Sequence, residues 1–215
     1  MACPHASSAA AYVKSLHRDW SAVMIMSALI TTATPMNTPG NSNTTALKYG
    51  AWQLNPVKAQ DPGLVDTTPC SLCLSTGSNT TACGNASTSG APSDLNYPTM
   101  AARVEAGKNF TVVFPWTATN VGAASAVYNV KVVYPIEAAN DLVVDVSPSR
   151  LEFNTQNQKV SFSVTVTGVA MEDRKVHSAA IVRYNNEHEV RRPMVVYATS
   201  SDDFPASPSK MGFRQ

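Results

Sequence analysis

The chain has 215 residues, of which 44% are hydrophobic, so one or two domains with a sizeable core are expected. Charged residues make up only 14% and the net charge is +1, which excludes the strongly basic surface of a nucleic-acid-binding protein and a wholly disordered chain. Residues 1–100 hold eight charged side chains and residues 101–215 hold 23, so we expect two differently built regions.

The first 32 residues predict two short helices. Within residues 1–17, apolar side chains recur every three or four positions and share one face: Ala2, Ala6, Ala9, Val13 and Leu16. Pro4 is tolerated only near a helix start, so this helix is expected to begin at or before Met1. A second helix is expected from Ser21 to Thr32, capped by Asp19 or Ser21, with an inner face of Val23, Met26, Ser27 and Ile30. Both helices have mostly small side chains, so they need a further packing partner.

Residues 67–94 are rich in Ser, Thr, Gly and Asn and predict a linker or an exposed loop. This segment holds three of the four cysteines, Cys70, Cys73 and Cys83. Their clustering suits a disulfide formed in an oxidising compartment, whereas a zinc site would need a fourth ligand that does not follow at the usual spacing. We expect Cys3 to be a buried free thiol, and we expect neither a metal nor another cofactor.

From residue 95 to 198 the sequence alternates in the way that antiparallel strands do. About seven short strands separated by turns are typical of a β-sandwich of about 100 residues. The aromatic residues at alternate positions are expected in its core: Phe110, Phe114, Trp116, Tyr128 and Phe162. Pro115 and Pro193 are expected at edges or bulges, and Arg191 and Arg192 at a solvated strand edge. Residues 199–215 are expected to form a disordered tail.

Four triplets fit the N-glycosylation acceptor pattern, and they begin at Asn43, Asn79, Asn85 and Asn109. The longest apolar run, Ala22 to Leu29, falls far short of the roughly 20 residues that span a bilayer, so no membrane association is expected. Residues 1–16 lack the basic start and the long apolar stretch of a signal peptide.

His5, Ser7 and Ser8 stand close together in sequence, which raises the question of a small catalytic set. Positions this close on one helix do not face each other productively, and no carboxylate is nearby to orient the histidine. We therefore assign no catalytic residue in this chain.

Several motifs together resemble plant subtilisin-like serine proteases of the cucumisin type. Met1-Ala2-Cys3-Pro4-His5 is similar to the segment that directly follows the nucleophilic serine in that family, and Lys14 to Ser21 and Asn55 to Val65 continue the similarity. Asp94-Leu95-Asn96-Tyr97-Pro98 resembles the start of the family's fibronectin type III-like domain. Later segments resemble its early turn at Thr117 to Gly122 and its last strand at Val190 to Tyr197.

The resemblance implies an α+β chain with four regions. Residues 1–66 would be a two-helix remnant of a subtilisin-like α/β catalytic domain, followed by the linker 67–94, an all-β fibronectin type III-like sandwich at 95–198 and the tail 199–215. It further implies a disulfide from Cys73 (or Cys70) to Cys83, and an extracellular location in the apoplast or cell wall.

The sequence thus predicts the C-terminal part of a subtilisin-like serine endopeptidase. The resemblance places the catalytic Asp, His and Ser outside this stretch, so we expect the chain as it stands to be inactive. A polypeptide substrate is implied only for the intact family, and the sandwich would contact the catalytic domain or form a homodimer. The alternative is a standalone non-catalytic β-sandwich that acts as a binding or regulatory module.

Overall fold

The structure, a computed structural model, describes residues 2–36, 50–66, 97–134 and 141–200. Within these ranges, three helices come first: α1 (Ala2–Leu16), α2 (Ala22–Thr31) and α3 (Pro56–Ala59). Nine strands follow: β1 (Leu64–Asp66), β2 (Met100–Glu105), β3 (Phe110–Asn120), β4 (Ala126–Val133), β5 (Leu142–Ser147), β6 (Leu151–Phe153), β7 (Lys159–Gly168), β8 (Val176–Tyr184) and β9 (Glu189–Thr199). None of the helices in these ranges has the length and apolar character needed to cross a membrane.

Local side-chain hydrogen bonds fix where the helices begin. The Ser21 hydroxyl accepts the Met24 N–H at 3.3 Å at the start of α2, so of the two predicted caps Ser21 is the one used. At α3, the Asn55 side-chain oxygen accepts the Lys58 N–H at 3.0 Å, and Pro56 occupies the first turn, where its missing N–H costs nothing.

The buried faces of the helices differ from the predicted ones. In α1 only Ala9 and Val13 are buried, while Ala2, Ala6 and Leu16 are exposed. In α2 the buried set is Val23, Ile25, Ser27, Ala28, Leu29 and Thr31, and the predicted inner residues Met26 and Ile30 are only half-buried. The reason is that α2 is covered from two directions, by α1 and by the strands, so its buried face is wider than a single stripe.

Two sheets form a sandwich. The first has the strand order β1-β3-β7-β5 and the second the order β2-β9-β8-β4-β6. Both contribute to one core, in which Phe114, Trp116 and Phe162 from the first sheet lie with Tyr128 and Ile181 from the second. The prediction that the alternating aromatic residues form the core is confirmed, with Phe110 half-buried at its margin.

The sequence predicted about seven strands, all antiparallel. It did not predict β2, nor that one pair of strands would be parallel. β2 pairs with β9 in parallel, from Met100 opposite Met194 to Glu105 opposite Thr199. Its inward residues alternate as expected for a strand, but two of its six residues are Ala, which has a weak strand propensity.

The two strand prolines lie where a neighbouring strand is missing on one side. Pro115 pairs with Ser163 of β7, but on its other side β1 reaches only residues 118–120 of β3. Pro193 pairs with Ala180 of β8, and β2 begins its pairing one residue later, at Met194. Each proline thus has one unpaired side, as a residue without a backbone N–H requires, although β9 itself lies inside its sheet.

The helices dock on the sandwich through β1. This strand pairs antiparallel with the end of β3, Leu64 opposite Asn120, and so adds a fourth strand to the first sheet. Val65 of β1 also joins a second apolar cluster with Ala9, Val13, Trp20 and Leu29 of the helical region. β1 thus supplies the further packing partner that the two small-sided helices need.

Candidate functional site

A buried ion pair lies where the helices meet the sandwich. Arg192 of β9 donates from Nη2 to Asp66 Oδ1 at 2.6 Å and from Nε to Oδ2 at 3.3 Å. Both side chains have 0% exposure. Since β9 belongs to the second sheet and β1 to the first, this pair ties the two sheets together across one end of the core.

Two more side chains complete the coordination of the Asp66 carboxylate. Trp116 of β3 donates its indole N–H to Oδ1 at 3.0 Å, and Ser27 of α2 donates its hydroxyl to Oδ2 at 3.3 Å. Ser27 Oγ in turn accepts the Asp66 backbone N–H at 2.9 Å. We call Ser27, Asp66, Trp116 and Arg192 the junction network. Buried charges persist in proteins only when paired and hydrogen-bonded in this way, so the network fixes how α2 sits on the sandwich.

The prediction of a solvated strand edge at Arg191 and Arg192 was wrong. β9 lies between β2 and β8 rather than at an edge, and Arg192 points into the core. Arg191 lies on the opposite face, 5.9 Å from the centre of the Trp52 ring, and burial lowers its pKa below the usual range.

A second buried arginine lies beside the network. Arg183 donates to the carbonyl oxygens of Ser149 and Pro148, both at 2.8 Å, and is fully buried. Its guanidinium lies 4.7 Å from the centre of the Phe162 ring, and that of Arg192 lies 5.8 Å from the same centre. Burial, followed by the charge of Arg192, lowers the pKa of Arg183 to about 10. No carboxylate contacts Arg183 among the described residues. Its charge is stabilised instead by two backbone carbonyl oxygens and the face of the Phe162 ring.

An open groove of about 350 Å³ lies at the surface of the same junction. Lys58 and Asp61 line it from the helical side, and Lys131, Tyr184 and His188 line it from the sandwich. His188 Nε2 lies 3.1 Å from Asp61 Oδ1, so two residues that line the groove make a second polar contact between the two parts. Most of the side chains that line the groove are charged or polar, which makes it a polar contact surface.

The residues singled out from the sequence do not come together as a site. His5, Ser7 and Ser8 are exposed on α1, and Cys3 is exposed as well, which corrects the expected buried thiol. α1 packs on its neighbours only through its later turns, so nothing covers Cys3 among the described residues. The predicted disulfide cysteines Cys70, Cys73 and Cys83, and the acceptors Asn43, Asn79 and Asn85, lie outside the described residues. Asn109 is exposed next to β3.

Sequence reasoning missed the junction network, although part of the signal was present. Val190, Arg192, Met194 and Val196 share one face of β9 by simple alternation, and three of these four are apolar. This alternation predicts that the Arg192 side chain points into the core, as its apolar neighbours on the same face do. Asp66 had no comparable signal, because its partners come from three distant segments. In the described ranges, no three His, Cys, Asp or Glu side chains converge as a metal site would require.

Comparison with known proteins gives two family matches. Residues 1–51 match the subtilase family, and residues 94–196 match a fibronectin type-III domain. Subtilisin-like protease SBT4.4 of Arabidopsis thaliana is 39% identical over 217 residues, which covers 93% of this chain and 29% of the relative. Subtilisin-like protease SBT4.3 of the same plant is 41% identical over 209 residues, covering 92% and 28%.

The chain thus spans less than a third of the length of these relatives. Among solved structures, the VesB protease of Vibrio cholerae superposes with a TM-score of 0.34 at 16% identity, over 47% of this chain and 31% of that one.

Proposed function

We propose that the chain belongs to the subtilase family and forms the C-terminal part of a subtilisin-like serine endopeptidase. In this assignment α1 and α2 are helices of the catalytic domain, and the sandwich is the accessory domain that braces them. The observation that carries the proposal is the junction network, because it joins a catalytic-domain helix to the sandwich through a fully buried charge pair.

The proposal places α1 directly behind the nucleophile. The similarity of residues 1–5 to the segment after the catalytic serine would put that serine at the amino end of α1. Free backbone N–H groups and the helix dipole at such an end favour the negative charge that develops during acyl transfer. Residues 2–8 are all exposed, which fits a helix end whose other face contacts the rest of a catalytic domain.

The sandwich would act on catalysis indirectly, through packing. Asp66 holds Ser27 of α2, and α2 packs through Ala28 and Leu29 into the cluster that contains Ala9 and Val13 of α1. A displacement of α2 would therefore move α1 and the serine before it. Since a shift of about 1 Å in a catalytic group costs on the order of 100-fold in rate, this bracing matters for activity.

The 215 residues by themselves are proposed to lack peptidase activity. No residue here matches the family's catalytic aspartate, histidine or serine, and loss of triad members costs many orders of magnitude in rate. The intact enzyme would cleave polypeptides through an acyl-enzyme, and by its similarity to plant proteases it would work outside the cell.

A chimera tests the proposal. The segment of SBT4.4 that matches this chain is replaced by residues 1–215, and the secreted product is treated with a fluorophosphonate probe that labels activated serines. We expect labelling of the chimera, and none of residues 1–215 alone or of the truncated SBT4.4 without any C-terminal part. A chimera that is secreted and folded but not labelled would contradict the proposal, and labelling of residues 1–215 alone would contradict their inactivity.

The second candidate is a non-catalytic binding or regulatory module. The observation that favours it is that β1, a strand of the sandwich, shares an apolar cluster with the helices. The helices and the sandwich could therefore fold together as one unit. In this case residues 1–215, added to intact SBT4.4, would form a complex on size-exclusion chromatography and change its rate of peptide hydrolysis. An unchanged elution volume and an unchanged rate would exclude it.

A further inference from the structure

The turn between β2 and β3 presents one acceptor triplet in a defined geometry. Asn109 and Thr111 are exposed, whereas Phe110 between them packs against the sandwich core. The Phe110 ring fills the space beside Gly168, where a Cβ atom would meet it at 2.6 Å or closer. The middle residue therefore anchors the triplet, and the two residues that a glycosylating enzyme reads face the solvent.

A hydrogen bond to the side-chain oxygen of Asn109 fixes this side chain and leaves its nitrogen available for glycosylation. Oδ1 accepts the backbone N–H of Ala170 at 2.9 Å. Among the described residues, Nδ2 makes no hydrogen bond. A sugar attached at Nδ2 leaves the carbonyl oxygen in place as an acceptor, so the contact with Ala170 survives the modification.

A shallow apolar groove of about 320 Å³ lies directly beside Asn109. Its lining includes Asp141, Thr167 and two strongly exposed valines, Val143 at 67% and Val169 at 54%. The strand register puts Thr111, Thr167 and Val143 in one row across β3, β7 and β5. Two strand spacings, about 10 Å, separate the acceptor triplet from Val143.

We propose that Asn109 carries an N-linked glycan whose first sugars lie in this groove and cover Val143 and Val169. Nδ2 would attack the anomeric carbon of a lipid-pyrophosphate-linked oligosaccharide in the secretory pathway. The carbon–oxygen bond to the pyrophosphate breaks, the lipid pyrophosphate leaves, and Nδ2 loses one proton. The apolar ring face of an N-acetylglucosamine fits the valines, and Asp141 and Thr167 offer oxygen atoms to its hydroxyl and amide groups.

The glycan would also protect a free sheet edge. β5 is the last strand of its sheet and pairs only with β7 among the described residues. Exposed edge strands with apolar residues are sites of edge-to-edge association, and proteins commonly block them with charge or bulk. The glycan supplies that bulk on the face where Val143 is exposed.

Peptide mapping tests the attachment. The full chain behind an added secretory leader is expressed in cultured mammalian cells as wild type, T111A and T111S. Secreted and cell-retained fractions are treated with peptide N-glycosidase in ¹⁸O water. We expect ¹⁸O at residue 109 in wild type and T111S, and loss of this label in T111A. An unlabelled Asn109 in wild-type protein from both fractions would overturn the proposal, and it would leave the protease assignment untouched.

The fluorescence of a hydrophobic dye tests the covering of the groove. T111A keeps the Asn109–Ala170 contact, so it removes the glycan without disturbing the turn. We expect T111A to bind more dye than wild type and to self-associate more at high concentration, and V143T/V169T in the T111A background to abolish both increases. Equal dye binding by wild type and T111A would show that the glycan does not lie in the groove.

Discussion

Ser27 and Asp66, which are 39 residues apart, exchange two hydrogen bonds inside the protein. The Asp66 backbone N–H donates to Ser27 Oγ at 2.9 Å, and the same hydroxyl donates to Asp66 Oδ2 at 3.3 Å. Both residues have 0% exposure. One hydroxyl thus fastens α2 both to the backbone of β1 and to the carboxylate that holds Arg192.

Replacing Ser27 by Ala is expected to destabilise the fold. The Asp66 N–H would lose its partner and the carboxylate one of its donors, and leaving a buried polar group unsatisfied costs about 1–3 kcal/mol. Urea unfolding of the chain measures the change in the free energy of unfolding. Ser7→Ala, at an exposed position of α1, is the matched control and should change it by less than about 0.5 kcal/mol. Equal effects of the two variants would show that the Ser27–Asp66 contact contributes nothing.

Replacing Arg192 by Met is expected to cost more, because it leaves the Asp66 carboxylate buried without its cation. Removing one partner of a buried ion pair costs about 3–5 kcal/mol. The double variant D66N/R192M should recover much of this loss, since Asn removes the charge and still offers an oxygen to Trp116. Arg150→Met is the control, because the Arg150–Glu152 pair is solvent-exposed. A double variant no more stable than R192M would argue against an electrostatic origin of the loss.

The sequence predicted most of the sandwich because its strands have two different faces. In β3, Phe114 and Trp116 are buried while the intervening Pro115 is exposed, so period-two alternation marks the strand without any knowledge of its neighbours. β2 was harder to recognise because Ala101 and Ala102 pack acceptably in a strand or a helix.

The junction network could not be predicted because its geometry is not local. Arg192 and Asp66 are 126 positions apart, and a short strand such as β1 carries too few residues for a periodic signal. A charged residue at an inward position of a strand indicates a buried partner, but it does not say which of 15 carboxylates that partner is. Only the docking of α2 and the pairing of β1 with β3 bring Asp66 to Arg192.

Gly63 is expected to tolerate no side chain. It has a φ of +73°, and a Cβ atom there would collide with the Tyr128 hydroxyl and approach His188 Cγ to 2.7 Å. Gly63→Ala should therefore destabilise the fold by about 2 kcal/mol or more, from backbone strain and overpacking together.

Gly107 is the matched control for that variant. Its φ is +77°, and a Cβ atom there would meet nothing within 4 Å. Gly107→Ala should therefore cost only the backbone strain, about 1 kcal/mol. If urea unfolding gave the same loss for both variants, the close approach of Tyr128 and His188 to Gly63 would have no energetic weight.

Tyr128 is expected to make the stability depend on alkaline pH. Burial, followed by the charge of Asp61, raises the pKa of Tyr128 from 10.0 to about 12. Between these two values the unfolded chain has lost the phenol proton while the folded chain keeps it. The unfolded state therefore binds fewer protons, and the free energy of unfolding falls as the pH rises through this window.

Ultraviolet titration at the phenolate band measures the pKa of Tyr128 directly. The wild-type curve should contain a late step near pH 12, and this step should be absent in Tyr128→Phe. Comparing the two proteins also separates Tyr128 from Arg183, whose lowered pKa of about 10 acts in the opposite direction over the same range. Tyr128→Phe should thus lose less stability than wild type between pH 10 and 12. A wild-type curve without the late step, from which Tyr128→Phe loses amplitude near pH 10 instead, would contradict the burial of the Tyr128 hydroxyl, and with it the close packing of β4 against Gly63.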